Sequence, residues 1–130
     1  MIKGKVLVVD DEEVIRETLK AFLEQNKYEV LTAADGEEGF KRAFYQNPDL
    51  ILLDITMPGI NGLELLSKLK DKMDRMVPVV MLTAKGDIRS MQDAEFMGST
   101  DYIIKPFKLE EVLKLVKKYL DIYNEDPSCP

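Results

Sequence analysis

The chain has 130 residues, about the length of one domain, and its 45% apolar content is enough for one ordinary core. Charged residues of both signs are interspersed, which excludes a disordered chain. The net charge is −6 without a basic cluster, so we expect no direct binding to nucleic acid. Histidine is absent, which excludes histidine-based acid–base catalysis and histidine metal ligands.

Features of targeting and redox environment point to the cytoplasm. The single Cys129 allows no internal disulfide, and no apolar run has the length of a signal peptide or a membrane span. We therefore expect a cytoplasmic protein without membrane insertion.

Apolar segments of strand length alternate with amphipathic helical segments along the chain. The predicted strands are Lys5–Val9, Tyr28–Thr32, Leu50–Leu53, Val77–Leu82 and Tyr102–Ile104. The helices between and after them have apolar faces at Ile15, Leu19, Phe22 and Leu23; Phe40, Ala43 and Phe44; Leu65, Leu66 and Leu69; Ile88, Met91, Ala94 and Met97; and Leu109, Val112, Leu113, Val116 and Leu120. Five βα units predict an α/β fold, a doubly wound parallel sheet with helices on both faces.

Local signals mark the ends of these segments. Asp35 and Glu38 are spaced as a capping box, and Asn61 is placed to cap the third helix. Asp87 starts the fourth helix and Gly98 ends it. That helix has a weak apolar pattern, which suits either a moving element or a short surface helix. We expect one domain over residues 1–120 and a polar tail over 121–130.

Polar residues follow the carboxyl ends of four predicted strands. Asp10 and Asp11 end the first, Asp54 the third, Thr83 the fourth and Lys105 the fifth. Ligands of open parallel sheets bind at this edge. Three carboxylates brought together repel one another unless a cation relieves them, and an all-oxygen ligand set favours Mg²⁺. An Asp carboxylate can also serve as the nucleophile in phosphoryl transfer, with a lysine neutralising the transferred group.

Each of these residues also has an ordinary structural interpretation. Asp11 could cap the first helix, Asp54 could start a turn, Thr83 could be a plain strand residue and Lys105 could be solvated. Independent structural roles do not predict that all of them lie at one end of one sheet. The joint placement therefore favours a functional site.

Four segments carry a resemblance to a known family. They are VLVVDDE, LILLDITMPGINGLELL, VVMLTAKGD and GSTDYIIKPF, and together they span most of the chain from Lys3 to Leu120. With the DxxMPxxxG pattern that begins at Asp54, they resemble the receiver domain of bacterial response regulators. The resemblance implies a flavodoxin-like strand order, 2-1-3-4-5.

The resemblance also implies roles for individual residues. Asp54 is the expected phosphoacceptor, and Mg²⁺ is expected at Asp11, at Asp10 through water, at Asp54 and at the carbonyl of Thr56. Lys105 would contact the phosphoryl group, with a cis peptide to Pro106. Thr83 and Tyr102 would be the switch pair, altering the surface of the fourth helix, fifth strand and fifth helix. Thr56 and Lys85 would tune the lifetime of the phosphoryl group.

The implied function is a phosphorylation-dependent switch of a two-component system. A sensor histidine kinase or phosphotransfer protein would supply the phosphoryl group, and the output would be a downstream protein or an effector domain of a longer chain. The protein would catalyse its own phosphorylation and slow autodephosphorylation without being a conventional enzyme. Alternatives are a receiver-like module that binds partners without phosphorylation, an aspartyl phosphohydrolase of the haloacid dehalogenase type, and a flavodoxin. The last two fit poorly, because Asp10, Asp11 and Glu12 form no DxD pattern and would repel a flavin phosphate.

Overall fold

The computed structural model describes residues 2–57, 61–73, 75–84 and 86–121. The strands are β1 (Lys5–Val9), β2 (Glu29–Ala33), β3 (Leu50–Asp54), β4 (Val79–Ala84) and β5 (Asp101–Lys105). The helices are α1 (Glu13–Gln25), α2 (Gly36–Gln46), α3 (Gly62–Lys72), α4 (Ile88–Phe96) and α5 (Leu109–Leu120). All strand pairs are parallel, in the order β2-β1-β3-β4-β5, which confirms the predicted fold and strand order.

The core lies in two layers, one on each face of the sheet. Side chains alternate along each strand, so Leu7 and Val9 face one layer while Val6 and Val8 face the other. The first layer is closed by α2, α3 and α4, and the second by α1 and α5. All five residues of β3 are buried, as expected for a central strand covered on both sides.

Two strands begin later than the sequence pattern predicts. Tyr28 lies in the connection between α1 and β2, where its amide donates to the carbonyl of Leu23 near the end of α1. Val77 and Pro78 precede β4, and proline has no amide to donate to a ladder. β4 continues to Ala84, so Thr83 lies within the strand, and the residues before and after it both pair with β5.

The predicted helix caps are largely present. The side chains of Asp35, Asn61 and Asp87 accept from the third amide that follows each of them, at 2.9, 2.9 and 3.4 Å. In the predicted capping box, Asp35 accepts from the amide of Glu38, and the carboxylate of Glu38 lies 3.6 Å from Arg42. The residue before α1 is Glu12 and makes no side-chain cap, so the alternative that Asp11 caps this helix is wrong.

Two helix positions differ from the predicted apolar faces. Phe44 in α2 and Ile88 in α4 are 46% and 62% exposed, although both were expected to line a core. Each lies near one end of a short helix, where the helix covers less of the sheet. Gly98 follows α4 with a φ of 99°, a backbone conformation that favours glycine and agrees with the predicted helix end.

The amino-terminal edge of the sheet, which we call the base, has a buried polar contact of its own. The carboxylate of Asp121, just after α5, is 1% exposed and accepts a 2.7 Å hydrogen bond from the hydroxyl of Tyr28. The ammonium of Lys3 lies 3.6 Å from the same oxygen. These contacts fasten the end of α5 to the start of β1 and to the α1–β2 connection.

Within the described residues, no helix is both long and apolar enough to cross a membrane.

Candidate functional site

The carboxyl edge of the sheet gathers the acidic residues that the sequence singles out. β1 delivers Asp10, which is fully buried, and the adjacent β3 delivers Asp54, which is 5% exposed. Asp11 follows on the exposed side. One carboxylate oxygen from each of the three lies within 4.8 Å of the others. This brings the three carboxylates among the predicted metal ligands into one cluster.

Lys105 at the end of β5 reaches across this edge. Its ammonium nitrogen lies 2.8 Å from Asp10 Oδ2, 3.4 Å from Asp54 Oδ2 and 3.6 Å from a carboxylate oxygen of Glu12. The lysine side chain is 18% exposed, so these ion pairs are partly shielded from water. Lys105 thus pairs with three carboxylates, so these four described residues together carry a net negative charge.

Burial and charge shift the acid–base properties of this cluster. Burial, reinforced by the charge of Asp10, raises the pKa of Asp54 from 3.8 to about 6 despite the nearby Lys105. Burial opposes the charged form of Lys105, yet the hydrogen bond to Asp10 and the charge of Asp54 outweigh it and raise the pKa of this lysine. At neutral pH Asp54 is mostly ionised, as a nucleophile must be, but at a cost in free energy.

The chemistry of the donor set fits a hard dication. Oxygens around Mg²⁺ span roughly 4 Å, slightly less than the spread of the three carboxylates, and the exposed side chain of Asp11 can rotate to close the difference. Asp10 is already engaged, because its Oδ1 accepts from the amide of Glu12 at 2.9 Å and its Oδ2 binds Lys105. Asp54 is also engaged, at Oδ1 by the Thr56 amide and at Oδ2 by Lys105 at 3.4 Å, so the exposed Asp11 is the most available of the three.

The described residues at both ends of the loop after β3 lie close to the end of that strand. The amide of Thr56 donates to Asp54 Oδ1 at 3.1 Å, and the amide of Gly62 donates to the carbonyl of Ile55 at 2.8 Å. A Cβ atom on Gly62 would lie 2.1 Å from the carbonyl oxygen of Asp54, closer than any side chain tolerates. Glycine at this position lets the loop close behind the site.

Comparison with known proteins now decides the family. The sequence of the chain matches the family model of the response regulator receiver domain over residues 6–117. The chain belongs to this family.

Curated relatives of this receiver include longer transcriptional regulators. The transcriptional regulatory protein ResD of Bacillus subtilis is 41% identical over 116 residues, and the alkaline phosphatase synthesis transcriptional regulatory protein PhoP of the same organism is 43% identical over 116 residues. In both cases the match covers 89% of this chain and 48% of the relative. The receiver thus spans about half the length of the curated relatives it matches.

Solved structures of similar receivers share the whole fold. The chemotaxis protein CheY4 of Vibrio cholerae is 34% identical with a TM-score of 0.83, covering 90% of this chain and 98% of that one. The receiver domain of NtrX from Brucella abortus is 33% identical with the same TM-score and coverage. The phosphohydrolase and flavodoxin alternatives are therefore set aside.

The remaining predicted site residues of the receiver lie on β4, on β5 or outside the described residues. Thr83 is buried on β4, next to Leu82, which pairs with Asp54 across the strands. Tyr102 on β5 is 48% exposed, with its side chain outward. The Lys105–Pro106 peptide is cis, as the resemblance implies. Lys85 lies outside the described residues, as do Pro58–Ile60 of the loop after Asp54 and the tail from residue 122 onward.

Two residues near the site were not singled out from the sequence. A carboxylate oxygen of Glu12 lies 3.6 Å from the ammonium of Lys105. The guanidinium of Arg16 donates to the backbone carbonyl of Asp10 at 2.8 Å. Arg16 follows Asp10 by six residues, so its position one turn into α1 could have suggested that it folds back over the loop. Nothing in its residue type alone distinguishes it from the other charged residues of that helix.

Proposed function

We propose that this receiver accepts a phosphoryl group on Asp54 and thereby switches the surface formed by α4, β5 and α5. The observation that carries the proposal is the convergence of Asp10, Asp11 and Asp54 with Lys105 at the carboxyl edge of the sheet. A cluster with excess negative charge is costly in a fold unless it holds a cation or exchanges charge during its function. The phosphoryl donor would be a phosphohistidine of a sensor kinase or phosphotransfer protein.

In the proposed reaction, an Asp54 carboxylate oxygen attacks the phosphorus of the donor. The new O–P bond forms as the P–N bond of phosphohistidine breaks, and the electron pair of that bond stays on the imidazole. Lys105, held by Asp10 at 2.8 Å, offers its positive charge to a phosphoryl oxygen. The amide of Thr56 holds the other carboxylate oxygen of Asp54 and so orients the nucleophile. Hydrolysis reverses the state when water attacks phosphorus, releasing phosphate and the carboxylate.

Asp11, Asp54 and the carbonyl of Thr56 would hold Mg²⁺ directly, and Asp10 would do so through water. When bound, this ion neutralises charge on the transferring phosphoryl group. The engagement of Asp10 with Lys105 and the amide of Glu12 supports its more distant place. The exposure of Asp11 supports its role as a direct ligand.

The switch would run through Thr83 and Tyr102. The hydroxyl of Thr83 now lies 3.4 Å from the carbonyl of Ala84, a weak interaction that a phosphoryl oxygen can replace. Movement of Thr83 would make room for the outward side chain of Tyr102 on the neighbouring strand. The altered face would then bind or release a partner in the cytoplasm, either a separate protein or an effector domain, since the curated relatives are about twice as long.

The test is phosphorylation by a small acyl-phosphate donor in the presence of Mg²⁺, followed by intact mass. The wild type should gain one phosphate, and Asp54→Asn should gain none. Asp121→Asn is the matched control, since it changes a buried aspartate at the base of the sheet. If Asp54→Asn gains the phosphate with the same rate and lability, the phosphoacceptor is wrong; if no protein gains phosphate, binding without phosphorylation becomes the better proposal.

A further inference from the structure

The peptide groups on both sides of Asp11 are held in place. On the far side, the amide of Glu12 donates to Asp10 Oδ1 at 2.9 Å, which fixes the peptide that joins Asp11 to Glu12. On the near side, Arg16 Nη1 donates to the carbonyl of Asp10 at 2.8 Å, which fixes the peptide that joins Asp10 to Asp11. Because peptides are planar, these two contacts largely fix the direction in which the Cα–Cβ bond of Asp11 points, while the side chain can still rotate about that bond.

Asp10 is anchored independently of Arg16 at its other polar atoms. Its amide donates to the carbonyl of Ala33 at 3.1 Å, and its carboxylate binds the amide of Glu12 and the ammonium of Lys105. The backbone carbonyl, which belongs to the same peptide plane as the Asp11 amide, is held by Arg16. Loss of Arg16 would therefore loosen Asp11 more than Asp10.

We propose that Arg16 is a positioning residue that presents the Asp11 carboxylate to the divalent cation. The inference rests on the proposed function, since it assumes that Asp11 binds the metal. Arg16 makes its own contact with a backbone carbonyl, so it acts through the Asp10–Asp11 peptide. Its guanidinium is planar and permanently charged, which suits a directed, charge-assisted hydrogen bond better than a flexible ammonium does.

A purely electrostatic role of Arg16 and a positioning role predict opposite changes in Mg²⁺ affinity when Arg16 is replaced. A positive charge near the cluster repels a dication, so removing that charge would strengthen metal binding. Positioning predicts weaker binding, because a loosened Asp11 must be ordered again when the metal binds. The direction of the change in Mg²⁺ affinity therefore separates the two roles.

The experiment is a double-mutant cycle on the whole chain. Mg²⁺ is titrated into the wild type, Arg16→Met, Asp11→Ala and the double variant by calorimetry. Arg42→Met is the matched control, since that arginine lies on α2 and pairs with Glu38. Arg16→Lys keeps the charge and tests rescue. In metal-free protein, hydrogen exchange of the Asp11 and Glu12 amides gives a readout that needs no bound ion.

We expect Arg16→Met to raise the Mg²⁺ dissociation constant about tenfold, the lower end of losses seen for groups that orient metal ligands. Exchange at the two amides should accelerate, Arg16→Lys should fall between the wild type and Arg16→Met, and Arg42→Met should match the wild type. In the Asp11→Ala background, the Arg16 change should add less than about a further twofold.

Unchanged or tighter Mg²⁺ binding by Arg16→Met would overturn the inference, as would full additivity in the double variant. If Arg16→Met does not fold, the Mg²⁺ affinity of Arg16→Lys is compared with that of Arg42→Lys. Equal affinities of these two variants would also overturn the inference. The failure of the proposed function looks different: the wild type would bind no Mg²⁺, or Asp11→Ala would bind it as tightly as the wild type.

Discussion

The two edges of the sheet each bury an aspartate, yet they balance its charge differently. At the base, Oδ2 of Asp121 faces one tyrosine hydroxyl and one lysine, so a single acid is paired with a single cation. At the carboxyl edge, Lys105 pairs with Asp10, Glu12 and Asp54, and Asp11 lies in the same cluster, so these acids outnumber the lysine. The base thus fastens elements of the fold, while the carboxyl edge keeps a cluster of acids that costs stability and that we propose as a Mg²⁺ site.

The largest expected contrast between the edges comes from two glycines. We predict that Gly62→Ala lowers the free energy of unfolding by about 3 kcal/mol or more, because its Cβ would lie 2.1 Å from the Asp54 carbonyl oxygen and 2.6 Å from the Ile55 Cα. Gly4→Ala at the base should cost under about 1 kcal/mol, since the nearest atom, at 3.1 Å, is the flexible end of Leu120. Urea unfolding of both variants measures the difference.

Similar losses for the two glycine variants would break the contrast. They would mean that the loop after β3 gives way as easily as one leucine side chain. A normal extent of phosphorylation by Gly62→Ala would also contradict the view that this loop holds the nucleophile in place.

The second prediction concerns the charge of Asp54. Its pKa is raised in the folded protein, so folding takes up a proton and stability falls as pH rises from 3.8 to about 6. Asp54→Asn has no ionisable group at this position and therefore avoids this loss of stability with rising pH. We expect the variant to be more stable than the wild type by about 1–3 kcal/mol at pH 7 without metal. The gain should largely disappear below pH 3.8, where the wild-type carboxyl is mostly protonated in both states.

Urea unfolding of the wild type and Asp54→Asn at several pH values, with chelator present, tests this sign. A variant less stable than the wild type at pH 7 would show that the Lys105 ion pair outweighs burial and repulsion. Adding Mg²⁺ should narrow the gap, because the ion stabilises the wild type by binding the folded state.

The sequence could predict the fold and the acidic cluster for a simple geometric reason. Parallel strands end at a shared edge, so Asp10, Asp54 and Lys105 had to meet once the strands were recognised. The fastening at the base had no comparable signal, because Tyr28 and Asp121 are 93 residues apart and neither lies in a motif. The bond from Arg16 to the Asp10 carbonyl was equally hidden, since a backbone acceptor leaves no trace in the residue type.

The third prediction tests the base directly. Tyr28→Phe removes the hydroxyl that donates to Asp121 and leaves a buried carboxylate with one contact fewer. We expect the free energy of unfolding to fall by about 2 kcal/mol, the usual range for a hydrogen bond to a charged group. The rate of phosphorylation by the acyl-phosphate donor should not change. A slower reaction with unchanged stability would assign the base a role in switching instead of in fastening.

The smallest expected effect concerns the lifetime of the phosphoryl group. Thr56 offers only a short hydroxyl, and Lys85 is cationic and has no acceptor for a water molecule. We predict slow autodephosphorylation, and a loss of phosphate that is several-fold faster in a Thr56→Asn, Lys85→Glu variant, a change of about 1 kcal/mol or less in the barrier. Phosphate release is followed in excess Mg²⁺ after removal of the donor. Equal lifetimes, or a longer-lived variant, would show that these side chains do not limit the attack of water.

The fastening of α5 at Asp121 also defines a lever. The helix begins four residues after Lys105, beside the site, and its 12 residues run about 18 Å down to the base. With the lower end held by Tyr28 and Lys3, that end acts as a pivot, and a displacement imposed at the upper end becomes a tilt. A shift of about 1.5 Å at the top would tilt the helix by roughly 5°. Small rearrangements around Lys105 would thus appear along the outer face of α5 as a graded displacement, greatest next to the site and vanishing at the pivot.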